Sequence, residues 1–321
     1  FTALETYSNV HRGSGFKSMV TTSLYEKARD IVLEHAGFDK RKHTVIFCSP
    51  RGAQLLTAKI NSKDYRVFSS ADLGLAVGVR AIAVKKSDLP SGDPFLAGGG
   101  NTKLISTEWI IWADPPDKFE AGTPAVMNIL TFVRALCPAQ KKEHDFSSKS
   151  SGTTMTAREI MHGDGLDNIS GRELLDKLRQ TIIGHSIEVP TAHGKAPFIN
   201  FDSSASTPAF KSAWDCFRLA IHQPEEVQRD MISEVRAICS EALNAPPADF
   251  DIHFTSNTTE SINLVAENLN REAVEDAKTV VLGSYLEHSS NELSWRIFPG
   301  LELIRLGVDK EGFIDTGELE K

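Results

Sequence analysis

The segment 254–264, FTSNTTESINL, carries the densest chemistry in the chain. Its pattern reads as an extended stretch ending at Thr255 and a helix starting near Thr258. The first N–H groups of a helix have no partner within it, and the helix dipole adds positive potential at that end. With hydroxyls from Ser256, Thr258 and Thr259, such a turn can cradle a phosphate. A cluster of helix-capping Ser and Thr explains the same residues without any ligand. Neither a GxxxxGK[ST] P-loop nor a GxGxxG turn occurs.

A second cluster follows in YLEHSSNELSWR, where Glu287, His288, Ser289, Ser290 and Asn291 leave an apolar strand. Ligands of open α/β sheets bind at the carboxyl ends of strands. A His there can stack on a planar ring or move a proton, and a solvated loop His is the plain alternative. The four cysteines, Cys48, Cys137, Cys216 and Cys239, form no CxxC pair. That pattern excludes a thiolate zinc site and a disulfide scaffold, and buried structural thiols are the expectation. No metal ligand set is expected.

The elements that position these residues follow from periodicity. A helix is expected over 23–35, then the strands HTVIFCS, YRVFSS and GVRAIAVKK. DPFLAGGGN reads as a glycine loop, KLISTEWIIWA as one strand, and TPAVMNILTFVRAL as a helix with Pro124 at an early position. Residues 138–195 read as a polar, Ser/Lys-rich linker with two short helices, the second opened by a Ser170/Glu173 capping box. From 196 a second globular pattern begins. It has a helix over about 225–243, the strand FDIHFTS, the helix TTESINLVAENLN, and the strands TVVLGSYLEH and LELIRLGVD. Alternation of this kind predicts an α/β fold with a mainly parallel sheet and flanking helices.

At 321 residues the chain is long enough for roughly two domains. Asp plus Glu outnumber Lys plus Arg by 43 to 35, giving a net charge of −8. No broad nucleic-acid or anionic-membrane surface is expected from such a balance. No apolar run approaches the ~20 residues that span a bilayer, nothing at the start reads as a targeting segment, and a cytoplasmic location is the expectation. The chain starts at Phe1 within a patterned segment. It stops at Lys321, where Asp315 and Glu318 have capping-box spacing. Both ends are read as cuts in a longer protein.

An internal repeat accompanies this organisation. Arg29 and Arg236, Ile31 and Ile238, Glu34 and Glu241, Phe47 and Phe254, and Ser49 and Ser256 are each separated by 207 positions. One ungapped offset thus carries helix, turn and strand onto helix, turn and strand, as a duplication would. The expected layout is a first copy over 1–137, the linker, and the front part of a second copy over 196–321.

The succession INFDSSASTP, FTSNTTESINLVA and LEHSSNELSWR resembles the class V aminotransferase family of fold-type I pyridoxal-phosphate enzymes, which includes cysteine desulfurases and selenocysteine lyases. SNVHRGSG, YEKARDIV, PFLAGGG and PPDKFEAGTP in the first copy resemble later landmarks of the same family. The resemblance implies pyridoxal 5'-phosphate as cofactor, with its phosphate on Ser256, Thr258 and Thr259 and its ring under His288. It also implies that Gly122 and Thr123 reach a cofactor phosphate across a dimer interface, here a dimer or an intramolecular pseudo-dimer. His11 and Arg12 would lie near the substrate opening, and the substrate would be a small amino acid. Thr123 as a helix cap before Pro124 is the alternative for that residue.

Departures from the family matter as much. FSSADLGLAVG puts Asp72 where the Schiff-base lysine of the family stands, and a carboxylate cannot form an imine. Pro50, Arg51 and Gly52 replace the counterparts of Asn257, Thr258 and Thr259. The first copy therefore reads as catalytically dead, and no catalytic residue is assigned to this chain. Two functions follow as expectations: a pyridoxal-phosphate lyase, desulfurase or aminotransferase whose lysine lies outside this chain, or a non-catalytic scaffold or binding module.

Overall fold

The computed structural model describes residues 2–11, 13, 15–137, 155–204, 206–273 and 278–320. In chain order, α1 (Thr2–Glu5) and α2 (Phe16–Ala36) precede β1 (His43–Cys48), α3 (Pro50–Thr57), β2 (Tyr65–Ser69) and β3 (Arg80–Lys85). β4 (Thr102–Ile105), β5 (Ile110–Trp112) and α4 (Val126–Leu136) follow. Next come α5 (Ala157–Met161), α6 (Gly171–Gln180), β6 (Glu188–Thr191), β7 (Gly194–Pro197), α7 (Lys211–Ala220) and α8 (Glu225–Ala242). The chain continues through α9 (Thr258–Glu272), β8 (Thr279–Ser284), α10 (Ser289–Arg296) and β9 (Leu301–Leu306).

These elements form two compact units. One draws on 1–9, 13–23 and 138–254, the other on 10–12, 24–137 and 255–321. One cut of this division falls between 137 and 138 and another between 254 and 255, while 138–254 runs through 195/196 as one stretch. Residues of 24–137 fold together with those of 255–321 in one unit.

The second unit is mixed α/β. β1 and β2 both pair antiparallel with β3, β4 and β5 form an antiparallel hairpin, and β8 and β9 pair in parallel from Thr279↔Leu301 to Ser284↔Leu306. The expected parallel pairing is present as β8–β9, with α10 in the crossover between them, as parallel strands require. The other pairs of this unit are antiparallel. β2 returns to β3 through the short turn at Ser70–Leu73, too short a connection for a parallel crossover. Val45, Ile46 and Ala81–Val84 are buried on both faces, which explains the uninterrupted apolar run of the central strand. The core gathers Ile46, Leu56, Ile82, Val84, Phe95 and Phe119. Helix α2 contributes Tyr25, Ala28 and Val32, the i, i+3, i+7 stripe of a helix lying on a core.

In the first unit, α5, α7 and α8 pack together around Ile160 and Met231. Helix α5 opens on a reciprocal Thr156–Glu159 capping box. The expected Ser170/Glu173 box does not form: Gly171 starts α6 at φ 58°, and the Ser170 side chain makes no cap bond. Residues 138–154 of the expected linker lie outside the described residues.

Four further expectations are corrected. KLISTEWIIWA is a hairpin, because Ser106 N–H bonds the Trp109 carbonyl at 2.9 Å and turns the chain. FDIHFTS forms no ladder. Helix α4 begins at Val126 with Ala125 as its cap residue, leaving Pro124 outside it. At the other end, Asp315 caps a single 3-10 turn, Thr316–Glu318, and Glu318 accepts instead from Gly307 N–H at 2.6 Å. No helix among the described residues is long and apolar enough to cross a membrane.

Candidate functional site

The site is built in the second unit around the start of α9. Asn257 caps that helix, its Oδ1 accepting from Glu260 N–H at 2.9 Å. The buried Glu260 carboxylate accepts from Ser256 N–H at 2.9 Å, from the Ser256 hydroxyl, and from the Ser49 hydroxyl at 2.7 Å. Burial pushes this acid up, but the Ser256 and Ser49 hydrogen bonds outweigh it and hold the carboxyl below its ordinary value. Ser256, expected to face a phosphate, spends its N–H and its hydroxyl on Glu260. Thr258 is exposed and Thr259 buried. Among the described residues nothing accepts from their N–H groups, which leaves two donors at the positive end of a 15-residue helix.

The loop carrying Gly122 and Thr123 rests on this helix start. Asn257 Nδ2 donates to the Thr123 carbonyl at 3.1 Å and reaches the Ala121 carbonyl at 3.5 Å. Gly122 has φ 82°, and a Cβ there would stand 2.7–2.8 Å from the Asn257 side chain, so both conformation and space require glycine. Its N–H donates to the Gly99 carbonyl at 2.8 Å. The Thr123 hydroxyl makes no hydrogen bond among the described residues, and the cap position of α4 belongs to Ala125. The capping role weighed for Thr123 is thus not the one it has.

A buried ion pair anchors the loop from below. Arg29 Nη2 lies 2.6 Å from Glu120 Oε2 and its Nη1 lies 2.8 Å from Oε1, a two-pronged contact. Tyr25 Oη and Phe47 N–H donate to the same carboxylate at 2.8 and 2.7 Å. Burial opposes charge on Arg29, but Glu120 more than compensates and holds its proton more tightly than usual. His11, at φ 56°, places Nε2 3.1 Å from Glu26 and stands edge-on to Tyr25, on the periphery of this network. Arg12 lies outside the described residues.

The glycine loop 97–101 closes the other side. A Cβ on Gly98 would collide with the Thr259 side chain and stand 3.4 Å from Ser290 Cα, so Gly98 lets the starts of α9 and α10 converge. Asn263, fully buried one turn beyond Thr259, accepts from Ala97 N–H at 3.1 Å. It donates to Ala97 O, Thr259 O and Ser294 Oγ, each at 2.8 Å. Ser294 in turn donates to Ala97 O at 2.9 Å and Ser290 O at 2.8 Å. His288 caps α10: its Nδ1 accepts from Ser290 N–H at 3.2 Å, which leaves the proton of a neutral ring on Nε2. Its ring is exposed.

Thus Thr258, Thr259, His288, Gly122 and Thr123 come to one place. Asp72 sits exposed in the Ser70–Leu73 turn. Burial, then the Glu120 charge, push the Cys48 thiol well up, as an inert structural thiol requires. The sequence reading assigned no role of their own to Asn257, Glu260, Gly98 and Asn263. A signal for Asn263 existed: with Thr259 and Ala266 it marks one face of α9, and all three are buried.

Residues 58–196 and 211–321 match the family model described as Aminotransferase class-V. Over 73 residues the chain is 34% identical to a probable cysteine desulfurase of Halobacterium salinarum, covering 23% of this chain and 18% of that protein. It is 33% identical over 102 residues to a cysteine desulfurase of Dickeya dadantii, covering 31% and 24%. A probable cysteine desulfurase of Pyrococcus abyssi is 34% identical over 105 residues, covering 32% and 25%. The apo structure of a cysteine desulfurase from Thermococcus onnurineus NA1 aligns with 42% of this chain and 62% of that one, at 13% identity and a TM-score of 0.35. The matched stretches span about a quarter or less of the length of these curated relatives.

Proposed function

The chain belongs to the class V aminotransferase family, a fold-type I family, and from that premise we propose that the start of α9 and the loop 121–123 form the phosphate end of a pyridoxal 5'-phosphate site. One observation carries the reading: the Gly122–Thr123 loop is seated on the cap residue of the Thr258–Thr259 turn, within one unit. The open N–H groups and the hydroxyls of Thr258 and Thr259, with the Thr123 hydroxyl, are the phosphate donors. The exposed His288 ring is the platform for the cofactor's ring. Glu260 keeps Ser256 and Ser49 folded against the helix start, and Arg29 with Glu120 fixes the height of the loop.

Bound there, pyridoxal phosphate supplies an electron sink for carbanions at the α-carbon of an amino acid. The residues of this chain bind and orient it. The two segments then stand to each other as subunits of a dimer do, with the first lending its loop to the second in cis. In the whole protein this serves a desulfurase, lyase or aminotransferase acting on a small amino acid, its Schiff-base lysine outside this chain. Asp72, at the place of that lysine in the first segment, favours a second reading in which the chain binds the cofactor without turnover.

Calorimetric titration with pyridoxal 5'-phosphate tests the site. Thr259→Ala weakens binding by about 1–3 kcal/mol, the scale of one hydrogen bond to a charged group, and leaves the weaker binding of pyridoxal unchanged. Equal affinity for the phosphate ester in both proteins removes the phosphate from α9. Release of an amino-acid product by the cofactor-loaded chain removes the second reading.

A further inference from the structure

The first unit holds a cleft of about 630 Å³ that the cofactor reading leaves unused. That volume lies in the range of small-molecule sites, roughly 300–1,000 Å³. Lys17, the second residue of the 21-residue α2, lines it and is only 9% exposed. Its Nζ stands 4.3 Å from the centre of the Phe198 ring. Among the described residues no carboxylate or other acceptor takes its protons. Burial lowers its affinity for a proton relative to an ordinary lysine.

The Lys17 ammonium thus opens to the cleft with one aromatic face beside it and no ion-pair partner among the described residues, and the ring satisfies it only in part. The complementary group is therefore an anion entering the cleft, where the positive end of α2 adds to the attraction. The rest of the lining sets its character. Ile182, Ile183, Phe198 and Ile199 offer an apolar wall. Tyr7, Ser203 and Ser206 offer hydroxyl donors. Glu5 and Asp202 also line the cleft, and their charge disfavours any ligand carrying several negative charges.

We propose that this cleft binds a small monocarboxylate with an apolar body, its carboxylate against the Lys17 ammonium and its body on the Ile182–Ile183 and Phe198–Ile199 walls. The site lies within the first unit and is independent of the cofactor reading.

Calorimetric titration of the 321-residue chain with hexanoate, hexylamine and inorganic phosphate tests the proposal. Hexanoate binds saturably at one site, hexylamine does not bind, and Lys17→Met weakens hexanoate at least about tenfold. Absence of saturable hexanoate binding, equal affinity in Lys17→Met, or phosphate binding that is both tighter than that of hexanoate and weakened by Lys17→Met overturns it. A measurement on the unmodified chain needs no variant to fold. In trace acetylation read by mass spectrometry, hexanoate slows modification of Lys17 by about fivefold or more and leaves exposed lysines unchanged. Acetylation of Lys17 at the same rate with and without hexanoate also overturns the proposal.

Discussion

Alanine at position 122 gives the sharpest view of how the loop and α9 are joined. The φ of 82° costs an L-residue about 1–2 kcal/mol. The new Cβ would stand 2.7–2.8 Å from Oδ1, Cγ and Nδ2 of Asn257, so the Asn257 side chain must leave. It then gives up its cap on Glu260 N–H, worth about 1 kcal/mol, and its bond to the Thr123 carbonyl, worth about as much again. Gly122→Ala should therefore cost roughly 3–4 kcal/mol. Asn257→Ala should cost roughly 2 kcal/mol, the same cap and bond lost directly. In the double variant the Asn257 side chain is already gone, and only the backbone strain is added. The pair should thus cost about 3–4 kcal/mol, some 2 kcal/mol less than the sum of the singles. Urea unfolding of the four proteins, followed by a probe in the second unit, measures this. Strict additivity would show that residues 121–123 do not touch Asn257, and the shared cradle would fall with that contact.

Other consequences are quicker to state. Asn263→Leu removes the partners of Ala97 N–H and Ser294 and should destabilise the unit by about 2–4 kcal/mol in chemical denaturation; a loss below 0.5 kcal/mol would mean the network is absent. Arg29→Met strands Glu120 in the interior and should cost about 3–5 kcal/mol, whereas an effect typical of a surface pair, under about 1 kcal/mol, would contradict the buried anchor. Glu260 has a carboxyl held below its unfolded value of about 4.3, so the folded state binds fewer protons there. Its contribution is present in full above that value and is lost as pH falls through the folded one. Between about pH 5 and 3 the melting temperature should drop less steeply in Glu260→Gln than in the wild type, and parallel curves would argue against a hydrogen-bonded carboxylate.

Periodicity made much of the scaffold legible, for reasons particular segments make clear. The 3.6-residue stripe of α2 and the apolar run of β3 each answer to a face that must be buried, so sequence and structure agree on them. FDIHFTS shows the limit. Alternation says which side chains share a face, but a ladder also needs a neighbouring strand with free N–H and C=O groups, and that partner is not written locally. The hairpin β4–β5 fails the single-strand reading because one backbone bond, Ser106 to Trp109, reverses the chain where the apolar count continues. At the site, the Ser/Thr turn and His288 were visible as residue types. The close approaches at Gly98 and Gly122 were not, since a glycine in a loop has the same letter whether it faces solvent or a side chain over a hundred residues away. Ser256 was misjudged because its competitor, the Glu260 carboxylate, is recognisable only once the helix start is folded.

The central claim is that Thr123, from the first segment, serves a phosphate bound at α9. Titration of the wild-type chain and Thr123→Val with pyridoxal 5'-phosphate, beside calorimetric melting of both apo proteins, addresses it most directly. The dissociation constant should rise about tenfold, the equivalent of about 1.4 kcal/mol, with the apo melting temperature nearly unchanged, because the Thr123 hydroxyl makes no hydrogen bond among the described residues. An unchanged dissociation constant would contradict the shared cradle and leave the first segment as scaffold alone.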